Sequence, residues 1–202
     1  EGQAVSSIHF AALLSDTFDW LVTVDPHLHR HHTLQDLFTI PAEAVSAIPL
    51  VAAWINDHVA NAILVGPDAE SAQWLQPLAS RTGAPFVVLS KKRKGDRDVE
   101  IGAPEHALFG TRTPVVFDDM ISTGETMIRT IARLREAGAR RPVCIAVHGL
   151  FTDDAVLWLR TAGAAALVTS TTVEHATNAI EVGPLLVPAI RRRLASAEAI
   201  PV

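Results

Sequence analysis

Short apolar runs alternate with amphipathic stretches along most of this 202-residue chain. Six runs have the length and composition of buried strands, at 19–24, 62–65, 85–89, 114–117, 143–148 and 165–169. Apolar residues spaced three and four apart predict helices over 6–14, 49–59, 72–81, 127–137, 155–161 and 188–197. Strands that alternate with helices favour an α/β fold, with a parallel sheet flanked by helices.

One stretch, PVVFDDMISTGET at 114–126, combines a buried strand, an acidic pair, a small hydroxylated loop and a helix N-terminus. Its unpaired N–H groups, the helix dipole and the close approach that Gly124 permits all favour a bound phosphate. Ser122, Thr123 and Thr126 add hydroxyl donors. An ordinary strand–turn–helix with a Ser or Thr cap is the alternative.

The acidic pair Asp118 and Asp119 changes what kind of ligand is expected. Carboxylates repel phosphate, so they suit neutral hydroxyls or a metal ion beside it. A ligand that carries hydroxyls next to a phosphate is a sugar phosphate. The stretch therefore predicts a sugar-phosphate site.

Polar clusters follow other predicted strands, at the sheet edge where open α/β folds bind ligands. Asp25-Pro26-His27 follows the first strand, and Asp68 follows the second in a pattern that a plain β–α turn also explains. Further histidines could bind a metal or lie in a solvated loop: His29, His31 and His32. A basic run at 91–97 is either a solvated loop or a mobile set of cations that closes over polyphosphate.

Composition narrows the class of protein. Net charge is −5 without an extended basic face, which argues against nucleic-acid binding. No apolar run is long enough to span a membrane. The single cysteine, Cys144, excludes an internal disulfide and fits a reducing, cytoplasmic location. It lies in an apolar strand, so we expect a small core residue.

Four motifs in order resemble those of the ribose-phosphate pyrophosphokinase family, the enzymes that make phosphoribosyl pyrophosphate (PRPP). They are Asp-x-His at 25–27, Pro-Asp at 67–68, Lys-x-Arg at 91–93 and the acidic and hydroxylated loop at 118–126. The resemblance covers nearly the whole chain. It implies two similar α/β domains of phosphoribosyltransferase type, with the site between them.

The resemblance implies a reaction and a role for each matching residue. ATP would transfer its pyrophosphoryl group to ribose 5-phosphate with Mg²⁺ as cofactor, in a homo-oligomer of dimer or hexamer-of-dimers type. His27 and Asp68 would hold the metal, and Lys91 and Arg93 would stabilise the transition state. The sugar phosphate would be bound by Asp118, Asp119, Ser122, Thr123, Gly124 and Thr126.

The chain departs from the family pattern in several places. Pro26, Glu70 and Ser71 differ from the commonest form, and Glu70 places a carboxylate near the expected pyrophosphate. Family members carry most of a first domain before the point where this chain starts. We therefore expect 1–45 to be the tail of that domain, 46–202 to be the second domain, and the sequence to be part of a longer protein.

Two other functions stay open. A phosphoribosyltransferase that consumes PRPP needs the 118–126 loop but not the Asp-x-His or the Lys-x-Arg. A non-catalytic partner of the synthetase would share the fold, with an altered or longer basic loop. Release of AMP from ATP and ribose 5-phosphate separates the synthetase from the first of these.

Overall fold

A computed structural model describes residues 6–28, 31, 33–89, 109–152 and 154–198. These residues form six α-helices: α1 (Ser6–Thr17), α2 (Ile48–His58), α3 (Ala72–Thr82), α4 (Glu125–Glu136), α5 (Ala155–Ala162) and α6 (Gly183–Glu198). The strands are β1 (Leu21–Val24), β2 (Ala42–Val45), β3 (Ala62–Gly66), β4 (Phe86–Val88), β5 (Thr113–Ile121), β6 (Val143–Gly149), β7 (Ala166–Ser170) and β8 (Asn178–Ile180).

The chain divides into two compact units. The central unit is residues 48–181, and the terminal unit joins residues 1–47 to residues 182–202. The first boundary lies close to the predicted one at 45/46. The assignment of both regions to domains of phosphoribosyltransferase type stays a prediction.

The central unit contains a six-stranded sheet in the order β4-β3-β5-β6-β7-β8, with every neighbouring pair parallel. The predicted α/β fold with a parallel sheet is therefore confirmed. β5 lies between β3 and β6, and Val115, Val116 and Phe117 on it are fully buried. A strand covered on both faces needs a continuous apolar run rather than an alternating one, as 114–117 shows.

Helix α4 buries one face in the core beside this sheet. Met127, Ile131 and Leu134 repeat at helical spacing and belong to one buried cluster. Cys144 on β6 belongs to the same cluster, and burial raises the pKa of its thiol to about 12. Its predicted place in the core is confirmed, and the thiol stays protonated at neutral pH.

The terminal unit contains the parallel pair β1–β2, on which α6 packs. Glu43 on β2 forms ion pairs with Arg192 and Arg193 of α6, and these arginines hold the pKa of its carboxyl below the usual value. Helix α6 extends to Glu198, so these arginines lie before its last turn, where they bind a strand.

Several elements differ from their predicted bounds. Helix α6 begins at Gly183 rather than at 188, with Pro184 in its first turn and Pro188 inside it. The sequence reading assigned this helix to the second domain, whereas the contacts group it with the terminal unit. The sequence does not predict β2 and β8, since strands of four and three residues are too short to give a clear period. Among the described residues, no helix is long and apolar enough to cross a membrane.

Candidate functional site

Strand β5 carries the acidic pair to the carboxyl edge of the sheet. Asp118 and Asp119 stand near its end, and Asp119 is only 7% exposed. The backbone N–H of Asp119 donates to Asp118 Oδ1 over 3.1 Å. The pair therefore lies at the edge where parallel sheets of this type bind ligands.

A tight turn after β5 leads directly into α4. Gly124 occupies the N-cap position with φ +75°, a left-handed conformation that other residues rarely adopt. A Cβ placed on Gly124 would lie 3.1 Å from Cγ and from Cδ1 of Leu159. The left-handed backbone therefore favours glycine at this position, and a Cβ would in addition require Leu159 to shift.

The turn leaves hydrogen-bond donors at the start of α4. The N–H of Ile128 donates to the carbonyl of Gly124 over 2.9 Å, so the N–H groups of residues 125–127 precede the first helical bond. The N–H of Glu125 reaches Thr123 Oγ1 only at 3.4 Å. Ser122 and Thr123 are exposed. Donors are thus concentrated in one short segment.

A cavity of about 210 Å³ lies at this segment. Its lining joins the acidic residue, the hydroxyls and the helix start: Asp118, Met120, Ile121, Ser122, Thr123, Gly124, Glu125, Thr126 and Met127. The structure brings together five of the six predicted sugar-phosphate residues, and Asp119 is next to them on β5. Glu125 places one exposed negative charge at the same segment, where it pairs with Arg129 at 3.7 Å.

Burial gives Asp118 unusual chemistry. Loss of solvent, and then the negative charges of Asp119 and Asp68, raise the pKa of Asp118 to about 7. Near neutral pH this carboxyl is therefore both a hydrogen-bond donor and an acceptor. A sugar hydroxyl or a nearby cation would be well placed to satisfy it.

Asp68 lies in the loop after β3, the strand next to β5. Its Oδ1 accepts the N–H groups of Glu70 and Ser71, each over 3.1 Å, and Ser71 Oγ donates to its carbonyl oxygen. A Cβ on Gly66 would collide with Ser71 Oγ at 2.1 Å. Asp68 thus organises its own turn, while its charge also acts on Asp118.

His27 lies in the terminal unit and is exposed, in the loop after β1. The loop is held by Asp25, which is buried and whose Oδ2 accepts the N–H of Ala47 over 2.6 Å. Within the described residues, no group of three or more histidine, cysteine or acidic side chains is gathered that could hold a metal ion. His27 as a metal ligand stays a prediction.

Other predicted residues lie outside the described part of the chain. Lys91 and Arg93 fall in the undescribed range 90–108. His29 and His32 fall in two shorter undescribed gaps, at 29–30 and at 32. His31 is described and half-buried. Their proposed roles therefore rest on sequence alone.

The sequence reading missed the residues that support the loop after β5. Thr152, in the loop after β6, donates its backbone N–H to the carbonyl of Ser122, and Leu159 packs against Gly124. The helical period of 155–161 identifies Leu159 as apolar and core-facing. No local pattern identifies the loop that it contacts.

The chain is similar to proteins of known family. The model of the phosphoribosyl transferase domain family matches residues 38–171. The chain is 32% identical over 191 residues to a ribose-phosphate pyrophosphokinase from Methanopyrus kandleri, which covers 94% of this chain and 64% of that protein.

A solved structure is also similar. The phosphoribosylpyrophosphate synthetase from Mycobacterium smegmatis superposes with a TM-score of 0.79 at 26% identity, covering 97% of this chain and 66% of that one. The chain thus spans somewhat less than two thirds of the length of either relative.

Proposed function

The chain belongs to the phosphoribosyl transferase domain family, and from this we propose that the protein is a ribose-phosphate diphosphokinase. It would transfer the pyrophosphoryl group of ATP to the C1 hydroxyl of ribose 5-phosphate, giving PRPP and AMP. The proposal rests mainly on the cavity after β5, which is lined by hydroxyl groups, by the N-terminal residues of α4 and by Asp118. Similarity along 94% of the chain to a ribose-phosphate pyrophosphokinase supports the same reaction.

The 122–126 loop would bind the 5-phosphate. Its donors are the hydroxyls of Ser122, Thr123 and Thr126 and the N–H groups at the start of α4. Gly124 lets the phosphate approach the backbone, and the helix dipole favours its charge. Asp118 and Asp119 would accept hydrogen bonds from the ribose hydroxyls and so orient C1.

The donor set also fits Mg²⁺, which prefers carboxylate oxygens and substrate phosphates to a full protein cage. Burial, and then the negative charges of Asp119 and Asp68, raise the pKa of Asp118, so a cation near these carboxyl groups would be stabilised. Asp68 would bind the ion together with phosphate oxygens, and the Asp-x-His motif of the sequence alone predicts His27 as a further ligand. Bound there, the ion would neutralise charge on the transferring group.

In the reaction, the C1 oxygen of ribose 5-phosphate attacks the β-phosphorus of ATP in line. The new C1–O–Pβ bond forms, the bond from Pβ to the bridging oxygen breaks so that this oxygen leaves with AMP, and the proton of the C1 hydroxyl passes to solvent. Lys91 and Arg93 would stabilise charge that develops on the transferring phosphoryl oxygens. The order of motifs along the sequence supports these two roles.

Formation of AMP tests the function. We expect AMP from ATP only when ribose 5-phosphate and Mg²⁺ are both present, in the protein that carries this chain. A phosphoribosyltransferase would instead release pyrophosphate from PRPP and a base. AMP release that ignores ribose 5-phosphate would contradict the proposal.

Lys91→Ala tests the assigned transition-state role. We expect the maximal rate to fall about 100-fold or more, since one oriented donor contributes on that order, with ribose 5-phosphate binding nearly unchanged. Lys92→Ala, one residue along the same basic run, is the matched control. An unchanged rate would remove Lys91 from the mechanism.

A homo-oligomer in the cytoplasm stays our expectation from the family resemblance.

A further inference from the structure

Among the described residues, Thr152 and Leu159 contact the 122–126 loop, and both lie in the segment that follows β6. The backbone N–H of Thr152 donates to the carbonyl oxygen of Ser122 over 3.2 Å. Leu159, seven residues further along on α5, lies against Gly124, within 3.1 Å of where a Cβ would stand. Both contacts come from the loop and helix that follow β6, so two points of the turn are tied to one support.

The loop's own side chains restrain it weakly. Gly124 has no side chain that could cap the helix, Ser122 and Thr123 are exposed, and Thr123 Oγ1 accepts the N–H of Glu125 only at 3.4 Å. Leu159 is instead fully buried and belongs to the same core cluster as Met127 and Ile131 of α4. The position of the turn therefore depends on the fit of α5 more than on the hydroxyls that face the cavity.

We propose that Leu159 and the N–H of Thr152 are positioning groups that hold the loop in its phosphate-binding conformation. The inference rests on the proposed function, since the ligand it concerns is ribose 5-phosphate. Neither group lines the cavity. Leu159 acts through Gly124 and Thr152 through Ser122, and a loop ordered in advance binds more tightly because less freedom is lost on binding.

Truncation of Leu159 tests the apolar contact. Leu159→Ala should raise the dissociation constant of ribose 5-phosphate about tenfold, since misplacement by about 1 Å can cost as much as 100-fold. Leu134→Ala is the matched control, because Leu134 is equally buried in the same cluster but lies in the last turns of α4. Leu159→Met, which largely conserves volume, should recover most of the affinity.

Calorimetric titration, with thermal unfolding of each variant alongside, gives the readout. Similar losses of thermal stability in both alanine variants, with lost affinity in Leu159→Ala alone, would support positioning. Equal affinity in the two variants would overturn it. In kinetic terms we expect the KM for ribose 5-phosphate to rise more than kcat falls.

Thr152 supplies a second, independent test. Thr152→Pro removes the N–H that reaches Ser122, whereas Thr152→Ala keeps it. We expect weaker ribose 5-phosphate binding in the proline variant only, and equal binding in both would overturn this half of the proposal.

A wild type that binds ribose 5-phosphate but forms no AMP refutes the proposed function alone. A wild type that forms AMP, with Leu159→Ala matching Leu134→Ala, refutes the positioning proposal alone.

Discussion

The loops after β3 and β5 have the same plan but satisfy their hydrogen bonds differently. Each follows a buried parallel strand and precedes a helix, and an aspartate lies in the first loop (Asp68) and near the end of the strand before the second (Asp118). In the β3 loop, Asp68 Oδ1 accepts two backbone N–H groups and Ser71 closes over Gly66. In the β5 loop, a bare glycine stands at the cap and the helix N–H groups open on a cavity. The turn after β3 satisfies two of its own N–H donors, whereas the turn after β5 leaves donors open at the cavity, and we therefore expect the second turn to bind the phosphate.

The largest expected effect concerns Asp118, near the end of β5. In the unfolded chain Asp118 titrates near 3.8 and in the folded protein near 7, so the folded state holds an extra proton between these values. Stability should therefore fall as pH rises from about 4 to 7, by at most about 4 kcal/mol. Asp118→Asn should abolish this component, as urea unfolding at several pH values would measure.

Asp57→Asn, at an exposed position, controls for the change in net charge in that experiment. An identical pH dependence in wild type and Asp118→Asn would show that burial does not perturb this carboxyl. Asp118 near the end of β5 and Asp68 in the loop after β3 would then not differ in their electrostatics.

The next effect concerns Gly124, in the loop after β5. Gly124→Ala should cost about 1–2 kcal/mol for the left-handed backbone and more for the contact with Leu159. Gly83→Ala isolates the backbone cost, because Gly83 has φ +70° and no neighbour within 4 Å of its Cβ position. Thermal unfolding should rank Gly124→Ala as the less stable variant, with ribose 5-phosphate affinity lost only there. Matching stabilities would mean that Leu159 gives way without cost.

A smaller effect concerns Asp68, in the loop after β3. Asp68→Ala removes the acceptor of two N–H groups and should cost about 1 kcal/mol, the usual value of a cap. Asp68→Asn keeps an acceptor and should leave stability nearly unchanged, while Mg²⁺-dependent AMP formation falls. Equal activity of wild type and the asparagine variant would restrict Asp68 to its turn.

The smallest effect concerns Glu125, the first residue of α4. It lies exposed in the first turn of α4 and pairs at 3.7 Å with Arg129. Glu125→Gln should change stability by at most about 0.5 kcal/mol and raise ribose 5-phosphate affinity about twofold, since one repelling charge is removed. Arg129→Gln breaks the same pair without removing that charge. A gain in affinity in both variants would assign the effect to the pair.

Much of the site could be predicted because its signals are local. The apolar run before Asp118, the hydroxyls and the glycine stand within thirteen consecutive residues, and each constrains its own backbone. β2 and β8 could not be found, because short strands owe their conformation to neighbouring strands. The ion pairs of Glu43 could not be found either, since Arg192 is 149 residues away.

The order of the residues alone determined the strand, the turn and the helix start at 114–126, since propensity, the left-handed glycine and helix-end donors act within a few residues. Folding decided which of these groups work together. It set Leu159 against Gly124, brought the charge of Asp68 to Asp118 from fifty residues away, and grouped α6 with β1 and β2. Packing and desolvation depend on distance in space, which neighbours along the chain do not reveal.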